Sequence, residues 1–230
     1  MMKLSILILS WNRPENINKI LTTYNDYNII DDIIVWNNKR TQELNYLPEW
    51  EGKIKFINSH DFGLNTRFIG ALLCKNEWVL TNDDDILLSE GTINHFSEWA
   101  KNHPDRTYTL HGRNPTAQNT YADGVENVVV PKETDKHLTR ATCYKKKYVI
   151  DYIRFIMDND IKIEANKGGG EDIIFSYIVS SLTKRRPLVI PAGYNNKELP
   201  QIDALHNRFP DVHKQGRTDI MRLCQEKLKI

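Results

Sequence analysis

Several features that are scarce in this sequence exclude whole classes of protein. No apolar run approaches the ~18 residues that a membrane helix needs, and the run at 4–9 leads into Trp-Asn-Arg-Pro, not into a signal-peptide cleavage site. The net charge of +1 leaves no basic footprint for nucleic acid. The 3 cysteines, which lack metal-ligand spacing, form neither a disulfide framework nor a zinc site. We therefore expect a soluble, cytoplasmic protein with reduced thiols and no transmembrane segment.

Residues 1–90 alternate between apolar runs rich in β-branched residues and segments whose apolar residues recur at helical spacing. This order predicts an α/β fold with a mostly parallel central sheet flanked by helices. Polar residues follow the predicted strands, and ligands of open α/β sheets bind beyond the carboxyl ends of strands. The predicted strands are 4–9, 29–36, 53–58 and 78–80. One predicted helix begins at Pro14. A second spans 64–74, and its apolar residues Phe68, Ile69, Leu72 and Leu73 share one side.

The second half is less regular, and no linker or repeat divides the chain. We therefore predict a single domain spanning residues 1–230. A polar stretch between two short strands is long enough to be a functional loop. The predicted strands are 108–110, 128–130 and 188–191, and the predicted helices are 147–158, 172–182 and 219–228.

Three consecutive carboxylates, Asp83, Asp84 and Asp85, follow the predicted strand at 78–80. Burying such charges without partners costs several kcal/mol each, so a cation is expected among them. Asp83 and Asp85 share one side of an extended chain, and oxygen ligands favour Mg²⁺ or Mn²⁺ over zinc. A hard cation at a strand's carboxyl end suits the binding and cleavage of a nucleotide diphosphate. The alternative is an acidic turn before a helix that Ser89 caps.

A second acidic pair, Glu171 and Asp172, follows the glycines at 168–170 and opens an apolar segment. Acidic residues favour a helix N-terminus and glycines favour a turn, so this pattern is explained without any ligand. No glycine-rich phosphate-binding pattern is present. From the residues alone, a catalytic role and a structural one both remain open.

Taken together in order, short segments of this chain resemble the GT-A glycosyltransferases, and within them the exostosin C-terminal family of α-N-acetylhexosaminyltransferases. The likeness runs from about residue 4 to residue 226, and the order of its pieces is more specific than any one of them. The pieces are 6–11 with Arg13, 35–38, 64–68, 83–86, 111–113, 139–141 followed by Tyr144 and Tyr148, 171–173, and Arg217.

The resemblance implies a UDP-sugar donor bound through Mn²⁺ or Mg²⁺. Asp85 matches the direct metal ligand, and Asp83 matches a position near both the ribose and the metal. Residues 1–90 would bind the nucleotide and residues 91–230 the acceptor, which the polar stretch 114–123 would help to shape. For Arg67 the alternative is a surface ion pair on a helix. The residues matched to nucleotide binding are Arg13, Asn38, Asn65, Arg67, Asp83 and Asp84.

The resemblance also implies the reacting groups. Asp172 matches the aspartate at the reacting centre, and Glu171 is its neighbour beside the donor sugar or acceptor. Arg217 matches a basic residue against the departing diphosphate, in a loop that is expected to close over the nucleotide. His206 and His213 are either surface histidines or a further metal ligand.

The chain departs from the family pattern at a cysteine. Family members carry a cysteine just before Glu-Asp, where this chain has Gly170, so the family's disulfide is absent and Cys224 need not be its remnant. The family's membrane anchor, stem and second catalytic domain are not found in this sequence. We therefore expect a compact cytoplasmic enzyme that modifies a glycan or glycoconjugate acceptor.

The function predicted from these observations is retaining transfer of a sugar from UDP-GlcNAc or UDP-GalNAc to a glycan hydroxyl. Within the same class, the alternative is an inverting transferase that uses UDP-xylose, UDP-glucose or a deoxysugar donor, with Asp172 as general base. A nucleotidyltransferase or phosphatase built on the acidic triplet is the second hypothesis. The third is a non-catalytic sugar-binding module whose exposed aromatic residues, Tyr108, Tyr121, Tyr144 and Tyr194, stack on pyranose rings.

Overall fold

A computed structural model describes residues 2–39, 44, 50–161, 169–192, 195–201 and 210–229, with the backbone alone for 122–123 and 210–213. The elements in chain order are β1 (Leu4–Ser10), α1 (Pro14–Asn25), β2 (Ile30–Asn37), β3 (Ile54–Asn58), α2 (Thr66–Ala71), β4 (Trp78–Asp83), β5 (Ile86–Leu87), α3 (Glu90–Asn102), β6 (Tyr108–Thr109), β7 (His111–Pro115), β8 (Tyr121–Glu126), β9 (Lys132–Glu133), β10 (Lys136–His137), β11 (Ala141–Lys145), α4 (Tyr148–Asp158), α5 (Glu171–Thr183), β12 (Leu188–Val189), β13 (Lys197–Glu198) and α6 (Pro210–Leu228).

The central sheet has 8 strands in the order β3-β2-β1-β4-β11-β6-β12-β9. Strands β1 to β4 are mutually parallel, whereas β11 lies antiparallel between β4 and β6. The edge strand β9 is also antiparallel to its neighbour. The predicted α/β fold with a mostly parallel sheet is therefore confirmed, with antiparallel strands confined to the second half.

Strand β1 lies at the centre of the sheet and is buried on both faces, as its continuous apolar run predicts. Ile6 and Ile8 pack with α1 and α3 on one face. Leu7 points to the other face, where it packs with α2, α4 and α5. The alternation of side chains along one strand thus supplies two separate cores and holds the helices on both sides of the sheet.

The carboxyl ends of β1, β2 and β4 meet at one edge of the sheet. In register, Leu9 lies beside Asp83 on β4, and Ser10 lies beside Asn37 on β2. The polar residues that follow these strands are thereby collected at the edge where open α/β sheets bind ligands. On this side, β13 pairs with β5 just after the acidic triplet.

The helix predicted at 64–74 is shorter than expected and faces the other way. Helix α2 covers only Thr66–Ala71, and its buried side includes Arg67 and Phe68. Of the four apolar residues predicted to share one side, Phe68 is buried, whereas Ile69, Leu72 and Leu73 are exposed. Ion pairs to Arg67 account for this orientation, because a buried guanidinium requires anionic partners.

The polar stretch after residue 110 forms a β-hairpin, and the prediction of a long loop was wrong. Strands β7 and β8 pair antiparallel, and the turn between them is closed by the Thr116 amide, which donates to the Thr120 carbonyl at 2.9 Å. The prediction of a strand at 128–130 was also wrong, since Val129 and Val130 are exposed and lie outside any strand. A β-branched run forms a strand only where a neighbouring strand accepts its hydrogen bonds.

The cysteines Cys74, Cys143 and Cys224 are free, as expected, and all three are buried. Burial raises the pKa of the Cys74 and Cys224 thiols to about 12, so they are uncharged at neutral pH. Across the described ranges of the chain, no helix combines the length and apolar character needed to cross a membrane.

Candidate active site

Each carboxylate of the acidic triplet contacts an arginine. Asp83 Oδ1 lies 2.9 Å from Nη1 of Arg67. Asp84 forms an ion pair with Arg13, whose Nη1 also lies 3.3 Å from Oδ2 of Asp85. The repulsion expected among three neighbouring carboxylates is therefore offset by cations drawn from distant parts of the chain.

The members of the triplet differ in exposure. Asp84 is buried, and its carboxylate also accepts from the Trp11 amide at 3.4 Å. Burial raises the pKa of Asp84 to about 6 in spite of the opposing charge of Arg13. The Asp83 side chain is 30% exposed and the Asp85 side chain 13%. Asp83 and Asp85 are thus the members more open to a ligand.

Arg67 joins the two acidic motifs. In addition to its contact with Asp83, its Nε lies 3.6 Å from Oε1 of Glu171. Its side chain is only 8% exposed, so the alternative of a surface ion pair is wrong. Because Asp83 ends β4 and Glu171 begins α5, this arginine brings residues from the two halves of the chain into one site.

Glu171 and Asp172 open α5 and are both buried. The turn before them requires glycine. Gly169 has φ +66°, and a Cβ there would lie 2.4 Å from Oε2 of Glu171. Gly170 has φ +124°, and its amide donates to the same Oε2 at 3.0 Å. The glycines therefore allow the backbone to wrap around the Glu171 carboxylate.

Asp172 forms a buried ion pair with Arg217. The Arg217 guanidinium carbon also lies 4.5 Å from the centre of the Tyr121 ring. Arg217 was predicted in a loop, but it lies within α6, which begins at Pro210 and not at residue 219. Gly216 did not break the helix, because packing against α5 supplies more stability than helix propensity removes.

The pKa values of the two neighbouring acids shift in opposite directions. Burial and the charge of Asp172 raise the pKa of Glu171. Burial would also raise the pKa of Asp172, but the charge and hydrogen bond of Arg217 outweigh it and bring that pKa below its ordinary value. The site therefore holds one carboxylate firmly ionised beside one that protonates more readily.

Two buried residues that sequence reasoning missed lie beneath Asp172. The Ser176 hydroxyl donates to the Asp172 carbonyl at 2.7 Å and accepts from the His137 amide at 3.0 Å. His137 Nδ1 lies 2.9 Å from the same hydroxyl, and the tautomer of the imidazole sets which of the two atoms donates. Ser176 could have been found at i+4 from Asp172 on the helix. No sequence pattern indicated His137, because the strand that carries it is only two residues long and shows no alternation of apolar and polar residues.

The asparagines matched to nucleotide binding contact the protein. Asn38 Nδ2 donates to the Gly63 carbonyl at 3.1 Å and to the Thr66 hydroxyl at 3.2 Å. Asn65 Oδ1 accepts a hydrogen bond from the Tyr152 hydroxyl. Both amides therefore fix the start of α2, which carries Arg67, and their contact with a nucleotide stays a prediction.

The donor set of the triplet fits a hard cation that is shared with a ligand. No group of three or more His, Cys, Asp or Glu residues able to hold a metal exists in the described part of the chain. Asp83 and Asp85 supply two carboxylates, the number with which Mg²⁺ is commonly held alongside substrate phosphates. His206 lies outside the described residues, as does the side chain of His213.

Two of the four aromatic residues proposed for sugar stacking lie in the core. Tyr108 and Tyr144 are fully buried, so that prediction was wrong for both. Tyr121 is partly buried and contacts Arg217, and Tyr194 lies outside the described residues. The three described residues therefore give no support to a sugar-stacking surface.

The fold defines the class of protein. The structure is similar to the crystal structure of S. aureus TarS, residues 1–349, in complex with UDP-GlcNAc, with a TM-score of 0.65 and 15% sequence identity. The match covers 97% of this chain and 65% of that one. At this low identity the likeness establishes a GT-A glycosyltransferase fold, as the resemblance implied.

The family follows from the sequence match. The model of the Glycosyl transferase family 64 domain matches residues 4–226, and the chain belongs to this family. It is therefore a glycosyltransferase, with a nucleotide sugar as donor by family. The exostosin-like-3 homolog of Caenorhabditis elegans is 26% identical over 223 residues, which are 95% of this chain but 26% of that protein. Of the three hypotheses drawn from the sequence, the first is confirmed in its class, a glycosyltransferase, whereas its metal, the sugar it transfers and retention stay predictions.

Proposed function

We propose that this chain transfers N-acetylglucosamine or N-acetylgalactosamine from its UDP conjugate to a glycan hydroxyl, with Mn²⁺ or Mg²⁺ at Asp83 and Asp85. One observation carries the proposal: Arg67 joins the acidic triplet to the Glu171–Asp172 pair at the carboxyl edge of the sheet. A site that cleaves a nucleotide sugar needs both parts, one for the diphosphate and one for the sugar carbon. The TarS crystals contain UDP-GlcNAc, which supports this donor class.

The diphosphate would lie between the triplet and the basic residues around it. A divalent cation bound by Asp83 and Asp85 would neutralise charge on the two phosphates as UDP leaves. Arg13 and Arg67 already contact these carboxylates, and their guanidinium groups suit phosphate oxygens. These arginines hold the triplet in place and orient the diphosphate.

The sugar would lie beside Asp172. In the reaction, an acceptor hydroxyl attacks the anomeric carbon, the bond from that carbon to UDP breaks, and the hydroxyl proton passes to the departing phosphate oxygen. Asp172 stays ionised because Arg217 lowers its pKa, so it stabilises positive charge that develops on the sugar. Arg217 faces the same centre and stabilises the leaving diphosphate.

The opposing pKa shifts favour retention over inversion. An inverting transferase needs a general base, and a carboxylate whose pKa is lowered is a weaker base. Asp172 is therefore better suited to electrostatic stabilisation than to proton removal. If the anomeric configuration is inverted, Glu171 is the better candidate base, since its pKa is raised. Proton NMR of the product distinguishes the two outcomes through the anomeric coupling.

The first test is a panel of UDP-, GDP- and dTDP-sugars with Mn²⁺, in which released nucleotide is measured. We expect turnover of one UDP-N-acetylhexosamine that EDTA and Asp85→Ala abolish. Asp172→Asn should keep UDP binding and lose about 100-fold or more in turnover. Asp151→Asn, which changes a carboxylate on α4 outside the site, is the matched control and should keep full activity. Absence of turnover with all donors, together with absence of UDP binding, would contradict the proposal.

A further inference from the structure

Arg140 lies between the acidic triplet and the strand that covers it. Its Nε is 3.3 Å from Oδ1 of Asp85, and its other end forms an ion pair with Glu198 on β13. The Arg140 side chain is 21% exposed. Arg140 belongs neither to the residues predicted to bind the nucleotide nor to the predicted reacting groups, so its place beside Asp85 has no role assigned yet.

Backbone hydrogen bonds hold both Arg140 and Glu198 next to the triplet. The Arg140 carbonyl accepts from the Asp83 amide at 2.9 Å, directly before β11 pairs with β4. Glu198 lies opposite Ile86 in the β13–β5 pair, and the next amide, that of Leu199, donates to the Asp85 carbonyl at 2.8 Å. The guanidinium is therefore held at Asp85 from two sides.

Asp85 thus contacts two arginines. Arg13 approaches one carboxylate oxygen at 3.3 Å and Arg140 the other at 3.3 Å. A divalent cation that binds Asp85 competes with these contacts for the carboxylate oxygens and meets the positive charge of both arginines. A nucleotide diphosphate supplies anionic oxygens that pair with a displaced guanidinium. Cation and diphosphate should therefore bind better together than either binds alone.

We propose that Arg140 is a positioning residue that occupies Asp85 before the cation arrives and thereby makes cation binding depend on the nucleotide diphosphate. This inference rests on the proposed cation site at Asp83 and Asp85. It assigns Arg140 a role in binding order, with no contact to the reacting sugar.

The test measures Mn²⁺ binding by isothermal titration calorimetry, first to the protein alone and then with saturating UDP. We expect Arg140→Gln to tighten Mn²⁺ binding about fivefold without UDP and to change it less than about twofold with UDP. The Mn²⁺ dissociation constant without UDP divided by the one with UDP measures the coupling between cation and nucleotide, and this ratio should be smaller in Arg140→Gln than in the wild type. Glu198→Gln should act in the opposite direction, because it leaves Arg140 with Asp85 as its acidic partner and so weakens Mn²⁺ binding without UDP.

A matched pair of controls carries the same charge changes elsewhere. Arg106 and Glu133 form an ion pair at 2.9 Å, and Glu133 belongs to the edge strand β9. Arg106→Gln and Glu133→Gln should leave Mn²⁺ binding at the wild-type value in both conditions. Circular dichroism of all four variants checks that each is folded.

Two results would overturn the inference about Arg140. One is an unchanged Mn²⁺ affinity in Arg140→Gln, and the other is equal tightening with and without UDP, which indicates simple removal of charge. In both cases wild-type protein still binds Mn²⁺ with UDP, so the proposed cation site stands. If no variant binds Mn²⁺ even with UDP, the cation site itself is wrong and the inference fails with it.

Discussion

At the scale of single residues, the site depends on which carboxylate each arginine contacts. Glu171 and Asp172 are neighbours in sequence and equally buried, yet their pKa values shift in opposite directions. The difference arises because Arg217 donates to Asp172, whereas Arg67 approaches Glu171 only at 3.6 Å. Composition cannot distinguish two such acids, and their environment assigns them different chemistry.

His137 predicts a loss of stability in mild acid. Burial lowers the pKa of His137 from 6.5 to about 4, so the unfolded chain takes up a proton as the pH falls below 6.5 while the folded chain does not. The free energy of unfolding should therefore fall with pH across this window. Between pH 7 and pH 5 the contribution is about 2 kcal/mol. Urea denaturation at both pH values measures it.

The control for this prediction replaces histidines of different burial. His137→Asn keeps a donor toward Ser176 and should lose about 2 kcal/mol of the pH dependence. His103→Asn, at an exposed position after α3, should keep the wild-type slope. An identical slope in His137→Asn and wild type would show that His137 is not the group responsible.

Two serines on α5 give a second prediction. Ser176→Ala leaves the buried His137 amide without its acceptor and leaves Nδ1 only the longer contact with the Thr107 hydroxyl at 3.5 Å, so we expect a loss of about 2–3 kcal/mol in the free energy of unfolding. Ser180 lies one turn later, and its hydroxyl makes no hydrogen bond with any described residue. Ser180→Ala should therefore be close to neutral by chemical denaturation. Equal losses in both variants would mean that the Ser176 hydrogen bonds contribute nothing specific.

At the scale of elements, the end of α1 depends on a lysine from another segment. Lys53 Nζ donates to the carbonyls of Tyr24, Asn25 and Tyr27 at 3.0, 2.6 and 3.2 Å. Tyr24 and Asn25 belong to the last turn of α1, where a helix leaves carbonyls without intrahelical partners and positive charge is favourable. A single side chain thus joins α1 to the start of β3.

Lys53→Met tests this contact. Removal of the ammonium takes a donor from all three carbonyls, of which those of Tyr24 and Tyr27 keep a backbone amide donor, and we expect a loss of about 1–2 kcal/mol in the free energy of unfolding. Lys55→Met, two residues later at an exposed position on β3, removes the same charge and should change stability little. Thermal and urea unfolding of the two variants provide the comparison, and matching losses would contradict the capping role.

Helix α6 shows how an element can be stabilised by its neighbours. Its first half was expected to be a loop, yet it is helical and places Arg217 against Asp172. Thr218 on the same helix accepts from the Tyr121 amide at 3.1 Å, which joins α6 to β8. The helix therefore supplies Arg217 from a fixed backbone, and closure over the nucleotide by this segment is not needed to bring the residue into place.

At the scale of the whole molecule, the two halves of the chain meet at the site. Arg67 contacts Glu171, Asn65 contacts Tyr152, and Asn16 Nδ2 donates to the carbonyl of Pro200 at 3.0 Å. A ligand that binds here contacts both halves, so it should stabilise the molecule as a unit. The assignment of nucleotide to residues 1–90 and acceptor to residues 91–230 stays a prediction.

Thermal stability in the presence of UDP and Mn²⁺ tests this coupling. At ligand concentrations about 100 times the dissociation constant, binding adds about 2.7 kcal/mol, which raises Tm by about 5–10 °C for a chain of this size. Asp85→Ala should lose the part of the shift that depends on Mn²⁺, and Asp151→Asn should keep it. A full shift in Asp85→Ala would place the cation elsewhere.

Much of the fold could be read from the sequence because its signals are local. The apolar run of β1, the helical spacing of α1 and the Ser89 cap of α3 each depend on residues within a few positions of one another. Such patterns predict an element wherever the chain places it. The order of these elements then specifies the α/β fold, and the collinear motifs specify the family.

The pairing of charges and the limits of several elements were decided by contacts between distant residues. The ion pair of Arg67 with Glu171 forms only after α2 packs against α5, and that of Arg140 with Asp85 forms only after β11 pairs with β4. The hairpin β7–β8 and the first half of α6 likewise gain their stability from neighbours, not from their own residues. Local patterns carry no information about such neighbours, because interactions between distant segments exist only once the chain has folded.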